Sequence, residues 1–365
     1  MHNHNNRLDI THSNFGLLKS EQQTQLYTLT NTQGTSIKIT NYGGIIVAIS
    51  TADNQNNYTD IVLGYDTVAG YENDPYYLGA VVGRYAGRID QGLLTIEKKA
   101  YQLDLNAPDS QLHSGINALN KQLWQATTQQ HEKSISLILE YTCPDGTNGF
   151  PGDVDFCVKY TLNNNNAFDI EYFAKTNKNT IVNLTQHSYF NLSGHDQGSI
   201  VNHQVTINAD HFLPMDERAY PTGEIKAVQG TVHDFTQSKR VGNDIDSDDQ
   251  QVIIGKGYDN YWLLNQDSIN KKAPAAQLID PKSGRRMTVY SDQPAIILYT
   301  ANYIDGSQIG KNKFCYQARA GLCLETLRAY NHSFNKEETP FQRVLLTPAE
   351  PFYSKTSLVF DVIDE

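Results

Sequence analysis

Positive charge is scarce in this chain of 365 residues: 29 Lys and Arg face 40 Asp and Glu, giving a formal charge of −11. Nucleic acids and anionic membranes are both bound through basic patches, so neither is expected as a partner. No apolar run approaches the roughly 18 residues of a membrane span. The opening Met1-His-Asn-His-Asn-Asn6 has no charged segment leading into an apolar one, so no secretory leader is expected. The expected compartment is the cytoplasm, or the periplasm if a leader preceded the chain. Four cysteines (Cys143, Cys157, Cys315, Cys323) show neither C-x-x-C nor Cys/His zinc spacing, and the histidines form no HExxH array. Free thiols and no metal are expected. A Gly-rich phosphate loop, a GxSxG elbow and a dinucleotide fingerprint are all missing.

What the chain has in quantity is tyrosine, 22 residues against 2 Trp and 3 Met. Tyrosine suits strands and polar clefts, where the ring packs and the hydroxyl finds a partner. Helical periodicity is sparse and alternation recurs. Ile135, Leu137, Leu139 and Tyr141 fall on one face; beyond the turn-rich 143–153 segment, Val154, Phe156, Val158, Tyr160 and Leu162 do so again. Four asparagines, 163–166, then lead into Phe168, Ile170 and Tyr172. This pattern predicts an antiparallel meander. Further short strands are expected at 24–31, 35–40, 44–51, 203–208, 261–265, 275–280, 286–290, 295–300, 320–326 and 343–347. Polar turns without βαβ alternation predict an all-β protein, a large antiparallel β-sandwich. With no linker and no repeat, residues 1–365 are expected to form a single domain, with 239–251 as a surface excursion holding at most a short helix.

Five places concentrate polar chemistry. Ile181–Leu192 reads as a half-buried strand, with Val182 and Leu184 alternating with Asn183 and Thr185, that ends at His187, Ser188 and Tyr189. A histidine at the mouth of a sheet is either a proton donor and acceptor or a satisfied hydrogen-bonding residue. Gly83-Arg-Tyr-Ala-Gly-Arg-Ile89 carries two arginines whose forks suit a carboxylate or vicinal hydroxyls. Leu112-His113-Ser114-Gly115 sets a histidine among small residues, and Gly257-Tyr-Asp259-Asn sets a carboxylate before a strand. Glu325 follows an apolar strand, a costly position unless it is paired with an arginine or does chemistry. Two histidines, two carboxylates and an arginine can move protons on an uncharged hydroxylated molecule.

These segments resemble the aldose 1-epimerase (galactose mutarotase) family over nearly the whole chain and in the family's order. The carrying motifs are Asn41-Tyr-Gly-Gly44, Ile61-Val-Leu-Gly-Tyr-Asp66, Gly83–Ile89, Leu112–Gly115, Gln186-His-Ser-Tyr-Phe-Asn-Leu192, Phe212-Leu-Pro-Met-Asp216, Gly257–Asn260 and Cys323-Leu-Glu-Thr326, with Asn331 beyond. The resemblance implies a β-supersandwich and an isomerase that interconverts the α and β anomers of free hexoses such as glucose and galactose. It implies Glu325 as general base at the C1 hydroxyl, His187 as general acid at the ring oxygen, and His113 holding the ring-oxygen region. Arg88 and Asp259 would bind sugar hydroxyls, with Ser188 and Tyr189 beside them in the cleft. The implied partner is a monosaccharide, bound by a monomer or homodimer, and no cofactor is implied. A carboxylate at Glu325 is expected to hold His187 protonated near neutral pH.

The chain departs from the family pattern where many members have Asn at Gly87, Gln at Ile297, Gln at Leu327 and Gly at Ser114. The acid and base are kept, so the departures bear on which aldose is preferred. Two other readings stay open: a phosphosugar 1-epimerase, which needs cations for the phosphate, and a sugar-binding module without catalysis. A glycosidase is disfavoured for want of a second carboxylate in a comparable position.

Overall fold

A computed structural model describes residues 7–329 and 343–363. Three antiparallel sheets dominate it. The largest has nine strands, and its first four, Gln125–Gln130, Ser134–Cys143, Val154–Asn163 and Ala167–Thr176, are consecutive hairpins. Phe352–Val362 joins their edge and continues the sheet through Arg285–Ser291, Ala276–Ile279, Gln204–Ile207 and Lys239–Arg240. The meander is therefore where the alternation placed it. Leu137 lies opposite Tyr160, and Tyr160 opposite Ile170, all on the buried face.

A second sheet of five strands spans Asp9–Asp60, and its first strand, Asp9–Leu17, was not foreseen. That strand is an edge whose residues are mostly exposed, so it carries no apolar period to read. The third sheet, also five-stranded, runs in the order Lys226–Ala227, His211–Leu213, Asp259–Leu263, Ala295–Tyr299 and Cys323–Leu327. Its even-numbered residues Trp262, Ile296, Leu298 and Leu324 point into the main core, beside Leu137, Val158 and Phe168 of the large sheet. Its odd-numbered residues are thereby turned to the opposite face. Each core side chain contributes about 1.5–3 kcal/mol by leaving water, which fixes the strand register.

The 181–192 stretch is not one strand. Thr180–Ile181 pairs with Leu345–Leu346, and Thr185–Gln186 pairs with Val81–Val82. Between them Asn183 is consumed by hydrogen bonds to Ala86 O and to the backbone N–H and C=O of Arg328. Val182, Asn183, Leu184 and Thr185 are all about 1% exposed, so the alternation marks two buried sides rather than one wet one. The 239–251 segment is only partly the surface excursion expected: Lys239–Arg240 closes the edge of the large sheet, Val241 and Ile245 are buried in the main core, and the one α-helical turn begins at Gln250.

Arg84, expected to meet a carboxylate or a sugar, is 2% exposed and donates to the carbonyls of Cys143, Pro144, Pro151 and Gly152. It pins the turn between two meander strands. Removing it orphans several buried carbonyls, each worth roughly 1–3 kcal/mol. Arg84→Met should lower stability by at least ~2 kcal/mol in urea unfolding while leaving the m-value unchanged; an unshifted midpoint would contradict this role.

Candidate active site

The cavity face of the third sheet forms a lattice set by strand register. Asp259, Tyr299 and Cys323 lie side by side, as do Tyr261, Ile297 and Glu325, and then Leu263, Ala295 and Leu327. Opposite residues in such rows have Cβ atoms about 4.5–5.5 Å apart. Over this floor lies an open cavity of about 270 Å³, whose other walls include Tyr77, Ala86, Arg88, His113, His187 and Tyr189.

His187 comes in from the short Thr185–Gln186 strand, its backbone fixed by His187 N–H donating to Ala80 O and by Gly79 N–H donating to His187 O, both at 2.9 Å. Its Nε2 stands 3.6 Å from Glu325 Oε1, with both residues buried at 5% and 4% exposure. Its Nδ1 lies 3.5 Å from Cys323 Sγ, two residues before Glu325 on the same strand face. Burial holds that thiol protonated, its pKa raised well above the ordinary value, with Glu325 and Asp259 adding to the rise.

His113 occupies a turn where both it and Ser114 have positive φ, 50° and 71°. The conformation is held because His113 N–H donates to Gly87 O, Gly87 N–H donates to His113 Nδ1, and Ser114 Oγ both accepts from Tyr85 N–H and donates to Tyr85 O. With Nδ1 an acceptor, Nε2 of a neutral ring carries its proton. Burial, then the His187 and Arg88 charges, push the His113 pKa well below the usual value.

Burial, and then Asp259, push the Glu325 carboxyl up to about 8, whereas burial pulls the His187 imidazole down to about 4. The expected imidazolium is thus corrected. Desolvation outweighs attraction, and the pair holds its single proton on the carboxyl. Asp259 is raised by burial to about 7, with Arg88 opposing. Neither Arg88 nor Asp259 has an ion-pair partner within 4.0 Å among the described residues, so both present unused polar groups to the cavity.

Six of the seven expected site residues, Glu325, His187, His113, Arg88, Asp259 and Tyr189, line this one cavity. Ser188 does not. Alternation turns it to the other side of the segment, where it is 2% exposed beside a void of about 20 Å³ shared with Tyr172, Thr185 and Thr326. Tyr189 donates to Tyr76 O at 2.8 Å and packs its ring 5.0 Å from that of His187. Asn331 lies outside the described residues. Tyr77, Tyr261, Tyr299, Tyr303 and Cys323 were not singled out from the sequence, although the abundance of tyrosine and the i, i+2 spacing of Cys323 from Glu325 were both legible. Among the described residues, His187, Cys323 and Glu325 bring ligand-type atoms within 4.8 Å of one another, the spacing a metal ion needs. An ion there would occupy both groups that can exchange protons.

The fold and site define an acid/base isomerase on an antiparallel β-supersandwich. The family model described as aldose 1-epimerase matches residues 25–359. Galactose mutarotase of Bos taurus is 36% identical over 326 residues, covering 89% of this chain and 91% of that protein. Aldose 1-epimerase of Escherichia coli (strain K12) is 31% identical over 339 residues, 93% and 96% of the two chains. The crystal structure of galactose 1-epimerase from Lactobacillus acidophilus NCFM superimposes with a TM-score of 0.86 at 26% identity, covering 98% of this chain and all of that one. The chain belongs to the aldose 1-epimerase family, and its function is mutarotation of a monosaccharide. Among the described residues no helix is long and apolar enough to cross a membrane.

A carboxyl raised from 4.5 to about 8 by folding takes up a proton as the chain folds between those pH values. Its contribution to stability is greatest below pH 4.5 and is lost as pH rises through 8. Glu325→Gln removes this loss, so the melting temperature of the variant should gain on wild type between pH 5 and pH 8.5. A gap independent of pH would refute the raised carboxyl.

Proposed function

We propose that Glu325 and His187 open and close the pyranose ring of a free hexose. Glu325, as carboxylate, takes the C1 hydroxyl proton; the C1–O5 bond breaks as C1=O1 forms, and O5 takes a proton from His187. Rotation about C1–C2 presents the other face of the carbonyl. In closure O5 attacks C1 and returns its proton to His187 while Glu325 returns a proton to O1. The observation that carries this reading is the facing of the two buried groups, 3.6 Å apart in the same cavity.

The electrostatics of the pair fit this cycle. Carboxylate with imidazolium and carboxylic acid with imidazole differ only in where one proton sits, and each half-reaction exchanges one arrangement for the other. Burial favours the second, the state left after ring opening. Hydroxyls donating to Glu325 would favour the first as a sugar enters. Arg88, Asp259, His113 and Tyr189 supply the other contacts to sugar hydroxyls. Arg88 is the single Lys or Arg among the described lining residues, which supports a neutral sugar over a phosphosugar. The cavity is built from residues between 75 and 327, which supports treating the chain as one domain. A net charge of −11 suits a small neutral substrate better than a nucleic acid or an anionic membrane.

A positioned acid or base is worth about 10²–10⁴ in rate. Polarimetry on freshly dissolved α-D-glucose and α-D-galactose should show decay accelerated over buffer by wild type. Glu325→Gln and His187→Asn should each lose at least ~100-fold in kcat with circular dichroism unchanged. Full turnover in either variant would remove that residue from the mechanism. Sugar binding without acceleration by wild type would favour a binding module.

A further inference from the structure

The two ring nitrogens of His187 have different neighbours. Nε2 stands 3.6 Å from Oε1 of Glu325, one of the residues that line the cavity. Nδ1 lies 3.5 Å from Sγ of Cys323, which is fully buried and is not one of the described lining residues. Backbone bonds hold the sulfur in place. Phe190 N–H donates to Leu322 O at 2.7 Å and Leu322 N–H to Phe190 O at 2.9 Å, so the segment that carries His187 is bridged to the residue just before Cys323. Within the sheet Cys323 pairs with Tyr299. The rings of Tyr77, His113 and Tyr189 pack around the imidazole at 6.2, 5.6 and 5.0 Å.

The proton cycle proposed above, on which this inference rests, sets what Nδ1 does. The proton that passes among Glu325, the sugar and His187 travels on Nε2, the nitrogen that faces the carboxyl. While the ring is an imidazolium both nitrogens are donors. Once Nε2 has given its proton to O5, the proton left on the neutral ring is the one on Nδ1. For Nε2 to take a proton back, from O5 or from the Glu325 carboxyl, its lone pair must be free, which again leaves the proton on Nδ1. Nδ1 is therefore a donor at every stage of the cycle. The acceptor in place is Cys323 Sγ, joined by the residue's own backbone carbonyl, which already accepts from Gly79 N–H.

Sulfur suits this task. The hydrogen bond made by one ring nitrogen decides which tautomer the ring adopts. A protonated thiol offers lone pairs but accepts weakly, so it selects the tautomer without stabilising the imidazolium. A carboxylate at the same place would hold the ring charged and blunt it as an acid.

We infer that Cys323 is a positioning residue for the reaction: its sulfur accepts from Nδ1–H of His187 and so keeps the Nε2 lone pair turned to Glu325 and the substrate. The tautomer can be observed directly in protein labelled with ¹⁵N-histidine, with the His187 signals identified by their loss in His187→Asn. Wild type at neutral pH should show Nδ1 protonated and Nε2 unprotonated. Cys323→Ala should give a mixture of tautomers and lower kcat roughly tenfold, the worth of one neutral hydrogen bond, with KM unchanged. Cys323→Ser restores an acceptor, so it should return the Nδ1–H form and a kcat above that of the alanine variant. A wild-type ring protonated at Nε2 would overturn the inference, and this spectrum decides even where a variant at Cys323 does not fold. An alanine variant with unchanged tautomer and turnover, or a serine variant no better than the alanine one, would also overturn it while leaving the acid/base reading intact. Full turnover in Glu325→Gln and His187→Asn would instead remove the reading on which it rests.

Discussion

Withdrawing water from the facing Glu325 and His187 side chains is the constraint that the rest of the architecture serves, because it sets where their shared proton rests and how readily it moves. Burial is the leading cause of both shifts, upward for the carboxyl and downward for the imidazole. A surface pair would hold the ionic form, with the neutral one far less populated. Here the two forms are brought within reach of each other, and a sugar's hydroxyls can tip the balance. The tyrosines around the cavity contribute to this dryness. Tyr189 and Tyr299 pack their rings 5.0 and 6.1 Å from His187, and Tyr77 packs 4.7 Å from His113.

The dryness in turn depends on strand register. The Cys323–Leu327 strand is buried throughout, with Leu324 in the main core and Glu325 on the cavity side. A slip of one residue would exchange them, placing a carboxyl among Trp262, Leu298 and Phe168. The register is held by Ile296, Leu298 and Leu324 packing on the large sheet, so the core that stabilises the fold also aims the base.

How much of this was legible in the sequence follows from the same physics. The meander of 134–176 could be read because each strand buries one face, and its turns carry Asn, Gly and Pro. Asp9–Leu17 could not, since an exposed edge strand has no apolar face to announce it. The 181–192 stretch misled, because alternation counts apolar residues and cannot detect that Asn183 is buried too, on hydrogen bonds to distant backbone. Glu325 and His187 stood out as polar groups in apolar surroundings. Ser188 was grouped with them by adjacency, although alternation argues that a neighbour of an inward residue faces away. The protonation of the pair depends on how completely the fold excludes water, which no local pattern records.

His187 and Glu325 are 138 positions apart, and the strand before His187 pairs with the distant Val81–Val82, whereas the strand of Glu325 pairs with the much nearer Ala295–Tyr299. Bringing such segments together requires many distant closures, the kind of topology that is assembled slowly. The hairpins of the 125–176 meander involve only near neighbours in the chain. A nascent or refolding molecule can thus carry much of its sheet content before the two proton-exchanging groups meet, and the appearance of turnover marks the completion of the whole fold rather than of any one part.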